Sequence, residues 1–195
     1  HTQAPLRLAS FGFLLPHKGL EQLLDALALI RERGRNVVLH MLNAEYPAAV
    51  SREAIAEISN RIQSQGLESV VNLDTIYYTD EECLERLRRA DLIVFPYQAT
   101  QESSSAAVRH AIASGTPVAV TPLDIFDDVS PAVIRLPGTE PSMLATGIET
   151  LAQWQGEEWL AYFARAEAWR QSHAHAAIAA RLESMLNALC GDGIS

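Results

Sequence analysis

The sequence predicts an α/β fold: a doubly wound parallel sheet of about six strands, helices on both faces, and a helical carboxyl-terminal extension. Two patterns carry this. From Leu6 to about Leu136, short β-prone runs that are apolar throughout alternate with amphipathic helical segments. Unbroken apolar runs mark strands buried on both faces, and such strands need crossover helices on each side. From about Glu140 onward the pattern is helical only. With 195 residues, 48% of them hydrophobic and 20% charged, the chain can bury the core that this architecture requires.

The elements follow in order. Leu6 to Phe11 reads as the first strand. Leu20 to Arg33 reads as a helix, because Leu20, Leu23, Leu24, Leu27 and Ile30 recur on one face, and Gly34 stops it. Val37 to Leu42 is the second strand, and Arg52 to Gln65 the second helix, closed by Gly66. Val70 to Leu73 is a short third strand, and a helix from about Asp80 to Ala90 follows, with Thr79 or Asp80 as its cap. Leu92 to Phe95, Val118 to Val120 and Val133 to Leu136 complete the strands, with a helix from Ser104 to Ser114 between the first two of these. Met143 to Leu151, Glu157 to Gln171 and Ala174 to Leu189 are successive helices. Residues 1–195 thus read as one Rossmann-like domain, with a core over 5–138 and an extension over 139–190. Trp154, Trp159, Tyr162, Phe163 and Trp169 form an aromatic seam in the extension, read as core packing.

Composition excludes some functions. A net charge of −9 speaks against a nucleic-acid surface, which needs a clustered basic face. The apolar runs fall short of a membrane span, and the polar opening with Pro5 is not a signal peptide, so a cytoplasmic protein is expected. The first strand starts so soon after His1 that the chain reads as cut from something longer. Cys83 and Cys190 have no metal spacing and read as free thiols in a reducing compartment. Asp124, Asp127 and Asp128 lack ligand spacing, so turn and capping roles are expected and no metal. No cofactor is expected either. His173 and His175 read as structural.

Parallel sheets of this type bind ligands at the carboxyl ends of their strands, near the point where strand order reverses. Five loops share that rim: Gly12 to Gly19, Asn43 to Pro47, Thr75 to Tyr78, Tyr97 to Ser105 and Thr121 to Asp128. In the fourth, Glu102, Ser103, Ser104 and Ser105 stand where a strand ends and a helix begins. The first N–H groups of a helix lack internal partners and the helix dipole favours an anion there. Two readings fit: an anion site, or a serine N-cap with Glu102 complementing the dipole. In the first loop, Gly12 permits an unusual turn, Gly19 permits a close approach, and Lys18 brings a positive charge to the same rim. Lys18 and the serines together could hold a diphosphate from two sides; a solvated surface lysine is the alternative. His110 lies two helical turns beyond Glu102, and Arg109 beside it reads either as a restored positive charge or as half of a surface salt bridge.

The order of these motifs resembles the carboxyl-terminal domain of a family-four retaining glycosyltransferase of GT-B architecture. Phe11 to Gly19 is similar to that family's Gly-Arg-Leu to Lys-Gly segment. Ala90 to Pro96 resembles the strand before its signature, Gly115-Thr116-Pro117-Val118 the Gly-Thr-Pro-Val after it, and Gln171 through Leu186 its closing helix. The resemblance covers nearly the whole chain. It implies that Glu102, as the first Glu of the signature, contacts the donor sugar in a catalytic role. It further implies that Ser103, Ser104 and Ser105 replace a Gly-Phe-Gly whose backbone faces sugar and diphosphate, and that Lys18 neutralises the leaving diphosphate. Gly12, Gly19 and His110 complete the substrate-binding set that the resemblance implies. Phe13 stands in the place of an arginine beside the phosphates, His110 in the place of a second Glu that commonly binds ribose, and Leu123 to Asp128 in the place of a Gly-Gly segment and its following Glu.

The implied function is donor binding for transfer of a hexose from a nucleotide-diphospho-sugar to a glycan or lipid-linked acceptor, in bacterial polysaccharide synthesis of the kind that mannosyltransferases perform. The acceptor would be held by an amino-terminal domain absent from this chain, and the intact protein could lie at the cytoplasmic face of a membrane. The competing readings are a degenerate domain that serves as a binding or scaffolding module, a sugar-nucleotide epimerase, and an unrelated nucleotide-binding domain.

Overall fold

Six short strands, β1 (Leu6–Phe13), β2 (Val37–Ala44), β3 (Val71–Asp74), β4 (Leu92–Phe95), β5 (Val118–Val120) and β6 (Ile134–Arg135), form one all-parallel sheet in the order β3-β2-β1-β4-β5-β6. This is a computed structural model, and it describes residues 4–100, 102 and 104–191. The helices are α1 (Leu20–Glu32), α2 (Ala49–Ser64), α3 (Asp80–Leu87), α4 (Ala106–Ala113), α5 (Pro141–Leu151), α6 (Gly156–Ser172) and α7 (His175–Gly191). Two 3₁₀ segments, Pro16–Lys18 and Asp124–Ala132, stand in the loops after β1 and β5. The α/β reading and the helical extension hold.

Two cores follow from the period of two along each strand. Leu8, Leu39, Met41, Val94 and Ala119 point to one face, where Leu23, Leu24, Leu27 and Ile30 of α1, Ile58 of α2 and Ile148 of α5 cover them. Ala9, Ile93, Phe95, Val118 and Val120 point to the other, against Val108 and Ile112 of α4, Leu87 of α3 and Tyr162 of α6. The aromatic seam belongs to this second core except for Phe163, which is exposed beyond its edge. Tyr162 is buried, while Trp154, Trp159 and Trp169 are partly buried against it. Among the described residues no helix is long and apolar enough to cross a membrane.

Element ends depart from the sequence reading for local reasons. β1 runs on to Phe13, because Gly12 and Phe13 stay in register with Asn43 and Ala44. α2 begins three residues early, since Ser51 Oγ donates to Leu14 O (2.9 Å) and accepts from Tyr46 N (3.0 Å), which anchors its first turn. Thr79 caps α3 in a capping box with Glu82. That helix closes at Leu87 through tightened turns, Arg89 N to Arg86 O and Ala90 N to Leu87 O, both 3.1 Å. α4 begins at Ala106, because Ser105 is its N-cap, its Oγ accepting from Val108 N at 3.4 Å.

The largest correction concerns the loop after β5. Thr121 to Asp128 does not line the ligand rim: Ile125, Phe126 and Val129 bury this segment under α6 in the second core. Its aspartates do form ion pairs, Asp127 with Arg135 and Asp128 with Arg109. Arg109 is therefore a salt-bridge partner rather than a free charge in the site.

α6 is joined to the sheet by one hydroxyl. Tyr162 Oη accepts from Val118 N and donates to Ala132 O, both at 3.1 Å, and burial pushes the phenol's pKa up. Replacing Tyr162 with Phe keeps the ring but strips both buried backbone groups of this partner. The expected loss is about 1–3 kcal/mol in urea unfolding; a loss within error of zero would show that another group takes over the bonds.

Candidate functional site

Strand order reverses between β1 and β4, so their connections lead to opposite sides of the sheet, yet the two exit loops touch above its carboxyl edge. Several contacts join the loops. Gln98 N donates to His17 O at 3.0 Å. Gly19 has φ 69° and lies so close to Pro96 that a Cβ there would stand 1.8 Å from the Pro96 carbonyl oxygen. The absence of a side chain at Gly19 therefore serves this loop–loop contact, and Gly19 does not line the cleft. Gly12, at φ 120°, does line it, and a Cβ there would press on Ala107 at 3.3 Å.

A cleft of about 440 Å³ opens beside this junction. One end is polar: Lys18, Glu102, Ser104, Ser105 and the start of α4. The other is apolar and aromatic, with Phe11, Phe13, Leu42, Ile76, Tyr77 and Tyr78. Phe13 is 36% exposed and Tyr77 76%, with their rings stacked at 6.1 Å and Tyr46 edge-on to Phe13 at 5.2 Å. An exposed aromatic group of this kind offers flat faces to a planar ligand.

At the polar end the charges pair with one another. Lys18 Nζ bonds both Glu102 carboxylate oxygens, at 3.0 and 3.3 Å, and lies 4.1 Å from the centre of the Tyr97 ring. His17 Nε2 reaches Glu102 Oε1 at 3.0 Å, and the His17 ring meets the Tyr97 ring edge-on. Partial burial works against ionisation of Glu102, but Lys18 and then His17 outweigh it and hold the carboxyl below its ordinary value of 4.5. Beneath them Tyr97 Oη and Ser105 Oγ are hydrogen-bonded at 3.1 Å. Ser105 is thus occupied as cap and as partner of Tyr97, and is 6% exposed. Ser104 is exposed at the cleft; Ser103 lies outside the described residues.

His110 lines the cleft midway. Its ring lies 5.3 Å from that of Phe11, Nδ1 is 3.9 Å from Asp80 Oδ1, and Nε2 is buried without a hydrogen-bond partner. The helical spacing between Glu102 and His110 does not operate, because α4 begins only at Ala106; both reach the cleft from different elements. Among the described residues no group of acidic, His or Cys side chains could hold a metal. Cys83 is a free, buried thiol at the cleft wall, its pKa pushed up by burial.

The sequence places His17, Phe13, Tyr46, Tyr77 and Tyr97 on the rim without giving them contacts there, and reads Asp80 only as a possible cap. His17 and Tyr97 carry a usable signal, since both lie at strand exits. The aromatic group joins the end of β1 to the loops after β2 and β3, and no local pattern announces it.

The family model for "Glycosyl transferases group 1" matches residues 5–153. No curated protein matches the chain. Among solved structures, the chain resembles the C-terminal domain of LpcC, a group 1 glycosyl transferase family protein from Francisella tularensis. That likeness has 13% identity over 86% of this chain and 85% of that one, with a TM-score of 0.66. HepE from Anabaena, solved with UDP-glucose, is 20% identical over 94% of this chain and 49% of its own length, with a TM-score of 0.75. A UDP-forming α,α-trehalose-phosphate synthase from Burkholderia vietnamiensis is 7% identical over 98% and 46%, with a TM-score of 0.77. At these identities the likeness is one of fold, and the chain spans about half the length of the last two proteins.

The Glu102 ion pair sets a pH dependence with a definite sign. A carboxyl whose pKa is depressed on folding stabilises the folded state above its ordinary value of 4.5, and that contribution is lost as pH falls through the depressed value. A carbon-detected NMR titration should place the Glu102 midpoint below 4.5, and Lys18→Met should move it upward because partial burial then acts with less opposition. An unchanged midpoint in Lys18→Met would refute the pairing.

Proposed function

The chain belongs to the group 1 glycosyl transferases, and from that premise we propose that its cleft binds the donor of a retaining sugar transfer, a nucleotide-diphospho-sugar. The observation that carries this reading is the meeting of Lys18 and Glu102 with the amino terminus of α4 across the strand-order reversal. The diphosphate lies at the polar end, where Lys18 and the free N–H groups of α4 face it. As the bond to the sugar breaks, negative charge grows on the departing nucleoside diphosphate, and fixed N–H dipoles plus an ammonium ion stabilise that charge without reorganising. Gly12 lets the backbone approach the ligand, and Ser104 is open to it. Glu102 orients the sugar through its hydroxyls. The nucleoside extends along the cleft, its ribose near His110.

The donor carries a hexose and the acceptor is a glycan or a lipid-linked sugar, held by a second α/β domain that closes over the cleft and excludes water. Polysaccharide synthesis on the cytoplasmic side, with the intact protein at the membrane surface, is the setting this chemistry suits. One observation favours a second reading, a binding module without transfer: Phe13 presents an exposed apolar ring where the family resemblance implies an arginine.

Three measurements test the proposal. Lys18→Ala should weaken nucleoside-diphosphate binding by about tenfold or more, the scale of one charge-assisted hydrogen bond, while nucleoside binding changes little. Equal losses for both ligands by calorimetry would remove Lys18 from the diphosphate. The 195-residue chain should bind without transferring sugar, and in the enzyme with both domains Glu102→Ala should cut turnover far more than nucleotide affinity. Sugar transfer to an acceptor by this chain alone, or normal turnover in Glu102→Ala, would overturn the assignment.

A further inference from the structure

We propose that His17 is a positioning residue that couples a proton to donor binding: protonated, it holds Glu102 so that Lys18 can turn its charge to the diphosphate. This rests on the donor-binding reading. It starts from a difficulty in the geometry. Lys18 is only 12% exposed and both oxygens of Glu102 lie on its ammonium group, so the cation meant for an anionic ligand is already neutralised. A doubly negative diphosphate that approaches Lys18 also approaches the Glu102 carboxylate, which repels it. Releasing Lys18 would leave Glu102 as an unpaired charge, 41% exposed, beside the incoming anion.

His17 resolves this. Its Nε2 already stands 3.0 Å from Glu102 Oε1, with the ring one-third exposed. A neutral imidazole gives the Lys18–Glu102–His17 cluster no net charge, whereas a protonated one makes it +1. The diphosphate therefore binds the protonated cluster better, and by linkage the bound diphosphate raises the affinity of His17 for its proton. Imidazole is the side chain whose charge ordinarily changes between pH 5 and 8.

The groups around His17 are few among the described residues. Glu102 comes from the loop after β4, Lys18 from its own 3₁₀ turn, and the Tyr97 ring lies edge-on. Gln98 N fixes the His17 carbonyl, so the turn cannot swing away. Farther along the cleft His110 and Asp80 form a second pair and are the rival source of a titration.

The probe is UDP-glucose, whose diphosphate diester does not titrate between pH 6 and 8. Calorimetry in two buffers of different ionisation enthalpy should show net proton uptake on binding at pH 7, and affinity should tighten roughly fivefold from pH 8 to pH 6, an ordinary size for coupled sites. His17→Gln keeps a donor for Glu102 but cannot take the proton, so uptake should vanish and the pH profile should flatten. As a second measure, the His17 ring signals in wild-type protein should titrate at higher pH with UDP-glucose bound than without. Binding without proton uptake overturns the coupling and leaves the donor-binding reading intact. So does uptake that survives His17→Gln or is lost in His110→Gln instead. If UDP-, ADP- and GDP-sugars all fail to bind at any pH, the donor-binding reading falls and this inference with it.

Discussion

Everything at the ligand edge of this protein depends on how closely the exit loops of β1 and β4 approach. The sheet sets those two strands side by side and sends their connections apart, which leaves a gap above them. Gly19 narrows the gap from one side, because without a side chain it can lie against the Pro96 carbonyl. Gln98 clamps it, its N–H on His17 O and its side-chain amide on Pro96 O at 2.9 Å. Only at this separation can Lys18 and His17 from one loop reach Glu102 from the other. The electrostatics of the site is thus a product of backbone packing, not of the charged residues alone.

The cleft that results has two ends of different chemistry, and each arises from a different part of the fold. The polar end is built at the start of α4, where Ser105 caps the helix and bonds Tyr97 beneath it. The aromatic end is built where β1, β2 and β3 run out, so that Phe13 from the end of β1 gathers with Tyr46 and Tyr77 from the next two loops. A ligand with one anionic and one planar part matches both. Neutral pairing of Lys18 and Glu102 keeps the empty site from carrying a bare charge.

The fold was legible because its signal is local. Alternation of apolar strands and amphipathic helices marked all six strands, and glycines marked several helix ends. Element ends were less legible where a side chain reaches beyond its neighbours, as when Ser51 anchors α2 on Leu14. At the cleft, Lys18 and Glu102 each carry a signal in the sequence because each follows a strand exit, but their bond to each other spans 84 residues and has no sequence signature. Gly19 stands out in the sequence as a place of close approach to a ligand, but the surface it meets is Pro96. The Thr121 to Asp128 loop shows the converse: its acidic residues drew attention, while buried Ile125 and Phe126 decided where it goes.

The Tyr162 hydroxyl gives the family match an unexpected edge. Similarity to the family model ends at residue 153, just after α5. The sheet does not end its dependence there, since the N–H of Val118 in β5 finds its partner nine residues farther on, in α6. The stretch that the family model matches and the stretch that supports the sheet therefore have different limits. A fragment trimmed to the recognisable part would retain every residue of the cleft and yet expose the flank of the sheet that supports it.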